Sequence, residues 1–285
     1  MESGFYPKRG YLREDFLFFH LRDQKGESYE YHYHDFYKMI FFLEGQVSYL
    51  LEGRTYRLEP GDILFVTDRD VHRAVIDTHV PYERMVLWFN PRFLPMNAES
   101  GFSYTECFDM ASAKKQNLLR PSQEDDRLIR RLLGDMKTAF QTTVPGSKTE
   151  KNALFMLLMV RINRIFQKEG ATFAEPNGQY DETIQKVIDY IERNLQGELS
   201  IDTLSSQFYI SRYTLMHKFK RETGFTLHYF ILQKRLLLAA SRLKNGASIT
   251  DTSYACGFTD YSVFMRAFKR FYGVAPREYV KQYGE

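Results

Sequence analysis

The sequence predicts two domains: an N-terminal all-β barrel with an appended α-helical hairpin, and a C-terminal all-α domain in which two helix-turn-helix units are joined by a long helix. Three observations carry that prediction. A short basic-aromatic phrase occurs twice, as FKRETG at Phe219–Gly224 and FKRFYG at Phe268–Gly273. The chain up to about Asn90 is a series of short aromatic and β-branched runs divided by turn signals. From Pro121 onward the apolar pattern takes the period of helices.

Size and composition allow this organisation. A chain of 285 residues, 44% apolar and 26% charged, has room for about two domains, each with its own core. Cys107 and Cys256 offer neither a disulfide framework nor a zinc-site spacing, and read as reduced thiols of a cytoplasmic protein. The start, MESGFYPKRG, has an early acid and no apolar core, so it does not read as a secretory signal. The longest strong apolar run, Leu154 to Val160, is far short of the ~20 residues that span a bilayer, so no membrane partner is expected. Net charge is only +3, but residues 180–285 carry 15 Lys+Arg against 11 Asp+Glu, and the remainder 24 against 25. The C-terminal third is therefore the part expected to face an anion.

In the N-terminal part, FLFFHL, YEYHYHDFYKMIFFL, QVSYLLEG, RTYRLEPGDILFV and ERMVLWF read as strands, with turns at Glu44-Gly45, Glu52-Gly53 and Pro60-Gly61. Closely spaced strands of this kind close into a small barrel or sandwich. After Pro121, SQEDDRLIRRLLGDMKTAF places Leu128, Leu132 and Met136 on one helical face, with acids in the first turn. A break at Thr143–Gly146 follows, and then a second helix with Leu154, Leu157, Leu158, Ile162, Ile165 and Phe166. The two form an antiparallel hairpin whose second stripe is broad enough to cover the barrel and also meet a partner. Gly170 to Gly178 reads as a solvated linker.

The repeated phrase is the end of a short amphipathic helix. In the second copy Phe264, Ala267, Phe268 and Phe271 share one face, with Asp260 placed to cap the start and Gly273 to end it. In the first copy Leu215 and Phe219 point inward, with Ser211 as cap and Gly224 as stop. Each is preceded by another short capped helix, SIDTLSSQF or SITDTSYAC, and by a tight turn, which makes two helix-turn-helix units. The outward residues are Arg212, Tyr213, Met216, His217 and Lys220 on the first helix. On the second they are Tyr261, Ser262, Met265, Arg266 and Lys269. Cations suit phosphates, Arg pairs bidentately with guanine, and apolar atoms touch thymine methyls, so these ten are the candidate DNA-binding residues. The intervening TLHYFILQKRLLLAASRLKNG reads as a helix with Leu227, Ile231, Arg235, Leu238 and Leu243 near one side and Gly246 as its stop. At 15–18 residues it spans ~22–27 Å, which suits two recognition helices one DNA turn (~34 Å) apart.

From Ile184 to Tyr283 the chain resembles the DNA-binding domain of the AraC/XylS family of bacterial transcription regulators, most specifically in GFTDYSVFMRAFKRFYGVAPREY. It departs from that pattern at Ser205 and Ser253, where Ala is usual, and at Thr252, where Ile or Leu is usual; all three are packing positions. YHYHDFYKMIFFLEGQ and LEPGDILFVTDRDVH resemble the family's cupin-type sensor barrel. The resemblance implies a cupin-like effector-sensing domain over 1–120, a dimerising hairpin over 121–169, a linker over 170–180 and a double helix-turn-helix domain over 181–285.

In cupin enzymes an H-x-H pair, a nearby Glu and a later His bind a metal. Here the pair is His32 and His34 and the later residue is His72, but Lys38 stands where the Glu is expected, and its charge would repel a cation. Strand alternation puts His32, His34 and Lys38 on one face. With His72 and Trp88 they are the candidate effector-binding residues, suited to a hydroxyl-rich or anionic small molecule; each is otherwise an ordinary hydrogen-bonded or core side chain. Tyr6 and Arg9 are candidates for covering the pocket. No metal, cofactor or catalytic set is expected. The reading is a cytoplasmic homodimeric regulator, an activator responding to a sugar or metabolite, with double-stranded promoter DNA and RNA polymerase as partners. The alternatives are a metal-dependent cupin enzyme fused to a DNA-binding module, and a regulator with no small-molecule effector.

Overall fold

The computed structural model describes residues 12, 14–23, 31–34, 36–52, 54–68, 70–77, 79–90, 93–94, 102–176 and 181–283. The chain divides into two compact units, one up to residue 178 and one from residue 179 onward. Tyr6, Arg9 and Gly53 lie outside the described residues, as do 177–180 of the expected linker.

The first unit is built on β1 (Phe16–Asp23), β2 (Tyr37–Glu44), β3 (Val47–Leu51), β4 (Arg54–Arg57), β5 (Ile63–Val66), β6 (His72–Ile76) and β7 (Tyr82–Phe89). It continues through α1 (Glu106–Lys114), β8 (Leu118–Arg120), α2 (Gln123–Gln141), α3 (Ser147–Gln167) and β9 (Thr172–Phe173). The strands form a six-stranded sheet in the order β1-β7-β2-β5-β8-β9 and a three-stranded sheet in the order β4-β3-β6.

The two sheets share one interior, and the helices cover the outside of the larger one. Strands β2 and β5 show both environments at once. Met39, Phe41, Ile63 and Phe65 join the core beneath the helices, which also contains Phe108, Met136, Phe155 and Ile162. Their neighbours Ile40, Phe42, Leu64 and Val66 join the interior core with Tyr49, Tyr56 and Val86. Strands buried on both faces read as continuous apolar runs, which is why MIFF and ILFV do not alternate.

Three expectations are modified. YEYHYHDFYKMIFFL is not one strand: His32 forms an isolated bridge with His72, the chain bends at Phe36, and β2 begins at Tyr37. The buried face of α2 is Ile129, Leu132, Leu133 and Met136, with Leu128 at its margin, and Leu157 on α3 is exposed. The start of the expected linker belongs to the sheet, because Leu119 and Arg120 pair with Phe173 and Thr172, and Phe173 packs against Phe166 at 4.7 Å. Helix α1 and strands β6, β8 and β9 are additional to the sequence reading.

Helix α1 exists because of a residue 56 positions away. Its N-cap, Thr105, makes no side-chain cap bond. Instead Asn163, fully buried on α3, accepts from the Cys107 N–H at 2.8 Å and donates to the Tyr104 and Met159 carbonyls, each at 2.8 Å. Two of these bonds tie the start of α1 and the residue before its cap to α3, and the third lies within α3. Replacing Asn163 by Leu strands a buried N–H and a carbonyl, and the expected cost is about 2–4 kcal/mol. Urea unfolding followed by the fluorescence of the single tryptophan, Trp88, which lies in this unit, checks it.

The second unit is helical: α4 (Glu182–Arg193), α5 (Ile201–Gln207), α6 (Arg212–Thr223), α7 (Leu227–Lys244), α8 (Ile249–Ala255), α9 (Tyr261–Tyr272) and α10 (Pro276–Tyr283). Helix α7 is a shared wall. Leu227, Phe230 and Ile231 are buried in its first half, with Phe230 against Phe219 of α6 at 5.3 Å. Leu236, Ala239, Ala240 and Leu243 are buried in its second half, in one cluster with Phe264 and Phe268 of α9 and Tyr279 of α10. The expected single stripe is therefore replaced by two, one for each helix-turn-helix unit. Leu238 is only partly buried, and Arg235 has a different task, described below.

Candidate functional site

The two copies of the repeated phrase are geometrically equivalent. The Ser211 hydroxyl accepts from Thr214 N–H at 3.1 Å, and the Asp260 carboxylate from Val263 N–H at 2.9 Å, so each helix has its N-cap. Gly224 (φ 79°) and Gly273 (φ 76°) end them in the left-handed region, as C-terminal caps do. The preceding turns also match: Ile210 N–H donates to Ser205 O, and Phe258 N–H to Ser253 O, each at 3.1 Å. Between these bonds and the following cap the second turn carries one extra residue, Thr259. The left-handed position is Gly257 (φ 82°) in the second turn and Tyr209 (φ 53°), almost wholly exposed, in the first.

Two of the three departures from the family pattern are resolved locally. The hydroxyls of Ser205 and Ser253 donate back to the carbonyls of Asp202 and Thr250 at 3.0 and 2.8 Å. The Thr252 hydroxyl is buried without a hydrogen-bond partner.

Of the ten candidate DNA-binding residues, Arg212, Tyr213, Met216, His217, Lys220, Ser262, Arg266 and Lys269 are exposed. Tyr261 and Met265 are half-buried; Met265 packs against the core with Phe264 and Phe268, so the apolar face of α9 is wider than its spacing implied. Arg212 pairs with Asp202, and the ring of Tyr213 lies 4.3 Å from His217. Val263, Arg270 and Arg221 are also exposed on these helices; Val263 is equivalent to Thr214 and was obtainable from the repeat itself.

Two clefts show how α6 and α9 are placed. One, about 530 Å³, is bordered by Met216, His217 and Lys220 of α6. The other, about 830 Å³, is bordered by Val263 and Ala267 of α9. Both are completed by the same four residues, Leu199, Ser200, His228 and Ile231, so the two helices flank one side of α7.

A long-range clamp fixes this arrangement. The Arg235 guanidinium donates to Leu195 O at 2.8 Å and Gly197 O at 2.7 Å, tying α7 to the loop after α4. Gly257 lies against the same point: a Cβ there would sit 2.3 Å from Leu195 O and 2.8 Å from the Arg235 guanidinium. At Gly273 nothing lies within 4 Å. The Gly273→Ala change is therefore expected to cost only the left-handed penalty, about 1–2 kcal/mol. Gly257→Ala must also displace backbone and is expected to cost more than Gly273→Ala, as read by loss of helical circular dichroism in urea.

The first unit holds a cavity of about 350 Å³ between its sheets. All five candidate effector-binding residues, His32, His34, Lys38, His72 and Trp88, line it. Parity along one strand is not the reason for the three from 32 to 38. The 31–34 segment reaches the cavity by pairing with β6 (His32 N–H to His72 O, 3.1 Å; His72 N–H to His32 O, 3.0 Å), while Lys38 enters from β2 opposite Trp88. The His72 ring lies 4.4 Å from that of His32 and 4.8 Å from that of His34. Nδ1 of His34 is 2.8 Å from Phe36 O and Nδ1 of His72 is 2.9 Å from Asp70 O, so each donates there and leaves Nε2 as the acceptor.

Burial, followed by the nearby Lys38 charge, holds the His72 imidazole well below its ordinary pKa, and it is neutral. Burial, with repulsion from Arg84, brings the Lys38 amine down to about 7. Arg84 was not anticipated, yet it shares strand parity with Trp88 in ERMVLWF. Phe19 and Leu21 also line the cavity and needed the β1–β7 register, which pairs them with Val86 and Arg84. Among the described residues no group of three or more His, Cys, Asp or Glu is arranged to hold a metal, and with a lysine in the donor set the residues do not fit one.

Residues 17–159 match the AraC-like ligand binding domain family, and residues 204–282 match a helix-turn-helix domain family. The chain is 26% identical over 253 residues to the HTH-type transcriptional activator RhaS of Salmonella schwarzengrund and of Salmonella typhimurium, covering 87% of this chain and 86% of the relative. Among solved structures it is similar to the DNA-binding domain of AdpA in complex with a target DNA (24% identity, TM-score 0.35, 36% of this chain and 94% of that one). It is also similar to ToxT of Vibrio cholerae (14% identity, TM-score 0.38, 95% and 100%). A ligand-binding β-domain and a double helix-turn-helix domain on one chain define a DNA-binding regulator of transcription, not an enzyme. The chain belongs to the AraC/XylS family. Among the described residues no helix is long and apolar enough to cross a membrane.

Proposed function

We propose that this protein is a cytoplasmic, homodimeric activator of transcription that responds to a small molecule. Residues 1–120 sense the effector, 121–169 dimerise through the α2–α3 hairpin, 170–180 link the parts and 181–285 bind promoter DNA. The observation that supports this reading best is the pairing of equivalent exposed faces, on α6 and α9, around one side of α7. Helix α7, at 18 residues, is ~27 Å long, which suits recognition helices entering successive major grooves. His217 and Arg266 occupy equivalent positions, as do Lys220 and Lys269, so the two helices approach DNA alike while reading different bases. The relatives named as transcriptional activators favour activation, which implies contact with RNA polymerase. Effector binding acts by favouring one of two arrangements through contacts it makes better in that arrangement.

The test is binding to a DNA sequence that the wild-type protein selects from a random pool. Arg266→Ala is expected to cost about 1–3 kcal/mol on that sequence and to relax preference at one base pair. Lys269→Ala is expected to weaken all sequences alike and to lower the salt dependence by about one phosphate contact. Gel-shift titrations at several salt concentrations measure both; no preference for any selected sequence refutes the reading.

A further inference from the structure

The charged side chains of the cavity lining are all basic. The basic and imidazole side chains Lys38, Arg84, His32, His34 and His72 are interleaved with the apolar Phe19, Leu21, Ala74, Val86 and Trp88: Lys38 stands opposite Trp88 across β2 and β7, and Arg84 opposite Leu21 across β7 and β1. Among the described lining residues there is no Asp, Glu, Asn or Gln. Of the remaining polar atoms, the Tyr49 hydroxyl hydrogen-bonds to Tyr82 at 2.9 Å, and the buried Trp88 Nε1–H has no partner.

The two formal cations of the lining differ in their partners. Arg84 is held by Asp23 at 2.6 Å and lies 3.9 Å over the ring of Tyr82. The nearby acids on the strands are engaged too: Glu83 with His20 and Arg22, and Glu44 with Arg22. The Lys38 amine has no hydrogen-bond or ion-pair partner among the described residues, and the charge acting on it is that of Arg84. Beside it, the buried His72 presents an Nε2 with no partner.

We infer that the effector is a small organic carboxylate with an apolar body, its carboxylate seated on the Lys38 amine and its body lying against Phe19, Leu21, Val86 and Trp88. This rests on the reading of the cavity as the effector site. A sugar brings many hydroxyl donors and needs acceptors to receive them, and the lining supplies few. A carboxylate only accepts, and a cation removed from water is its strongest partner. The volume of about 350 Å³ is at the small end of ligand sites, which run ~300–1,000 Å³, and fits a body of a few carbons or one ring.

The groups facing Lys38 are Arg84 from β7, His72 from β6, His32 and His34 from the 31–34 segment, and Tyr49 from β3. Strand β1 contributes the apolar Phe19 and Leu21, and β5 pairs alongside with Val66. None of these is an acid. With the amine brought down to about 7, a bound carboxylate draws a proton onto it above neutrality. Affinity then falls with rising pH, by about tenfold per unit above pH 7.

Isothermal titration calorimetry on the full-length protein tests this with hexanoate, benzoate and phenylacetate against benzamide, benzyl alcohol, D-glucose and D-xylose. The expected result is saturable heat from at least one carboxylate, loss of affinity between pH 7 and 9, and proton uptake at pH 8 seen as buffer-dependent heat. Lys38→Met is expected to weaken that carboxylate by about 10- to 100-fold. The thermal midpoint of the variant shows whether it is folded, and the wild-type pH profile tests the amine independently of it. Saturable heat from a sugar or neutral probe, with none from a carboxylate, overturns the inference and leaves the sensor reading standing. Silence from all seven probes overturns both. Carboxylate binding indifferent to both pH and Lys38→Met overturns the placement on Lys38.

Discussion

The DNA-binding unit depends on one close approach, where Arg235 of α7, the carbonyls of Leu195 and Gly197, and the bare α-carbon of Gly257 meet. Each helix-turn-helix has its own caps and its own core, and each would satisfy its backbone without the other. What neither supplies is their mutual orientation. The guanidinium does so by donating to two carbonyls of the loop that follows α4, while the second turn comes close enough to exclude any side chain. Half-burial opposes the charge on Arg235, as its lowered pKa reflects, but its planar fork of donors matches two carbonyls at once. Two helices fixed in this way are presented as one body, and the entropy of ordering them is met on folding.

The first unit obeys a similar rule with different parts. Burying β2 and β5 on both faces leaves no solvent-facing side for polar residues. Lys38, at the open end of β2, is thus conspicuous against Met39, Ile40, Phe41 and Phe42, all buried. The bidentate pair of Arg120 with the buried Asp62, both contacts 2.9 Å, joins β8 to the Pro60-Gly61 turn and holds the sheet edge beside it. Asp62 also accepts the Glu59 N–H at 2.8 Å, so one carboxylate organises a turn and a strand.

What the sequence revealed divides by the range of the interactions. Caps, stops and the inward faces of α6 and α9 follow from neighbours within one turn, and Ser211, Asp260, Leu215, Phe219, Phe264 and Phe268 all stand in the expected places. The cavity residues from 32 to 38 were found by an argument about strand alternation that the bend at Phe36 interrupts; their convergence comes from pairing across β6 instead. Arg84 was within reach of parity, but Phe19 and Leu21 were not, because a strand register is not written in either strand alone. Asn163 was not singled out at all, and Arg235 read as a charged member of an apolar stripe. Their partners lie 56 and 38–40 residues away, so composition and period carried no trace of them.

Strand β9 occupies the outer edge of the six-stranded sheet through two residue pairs. Lifting this edge would therefore break two residue pairs and also uncover the Phe166 ring that Phe173 meets at 4.7 Å, so the rim of the sheet is fastened to α3 as well as to its neighbouring strand.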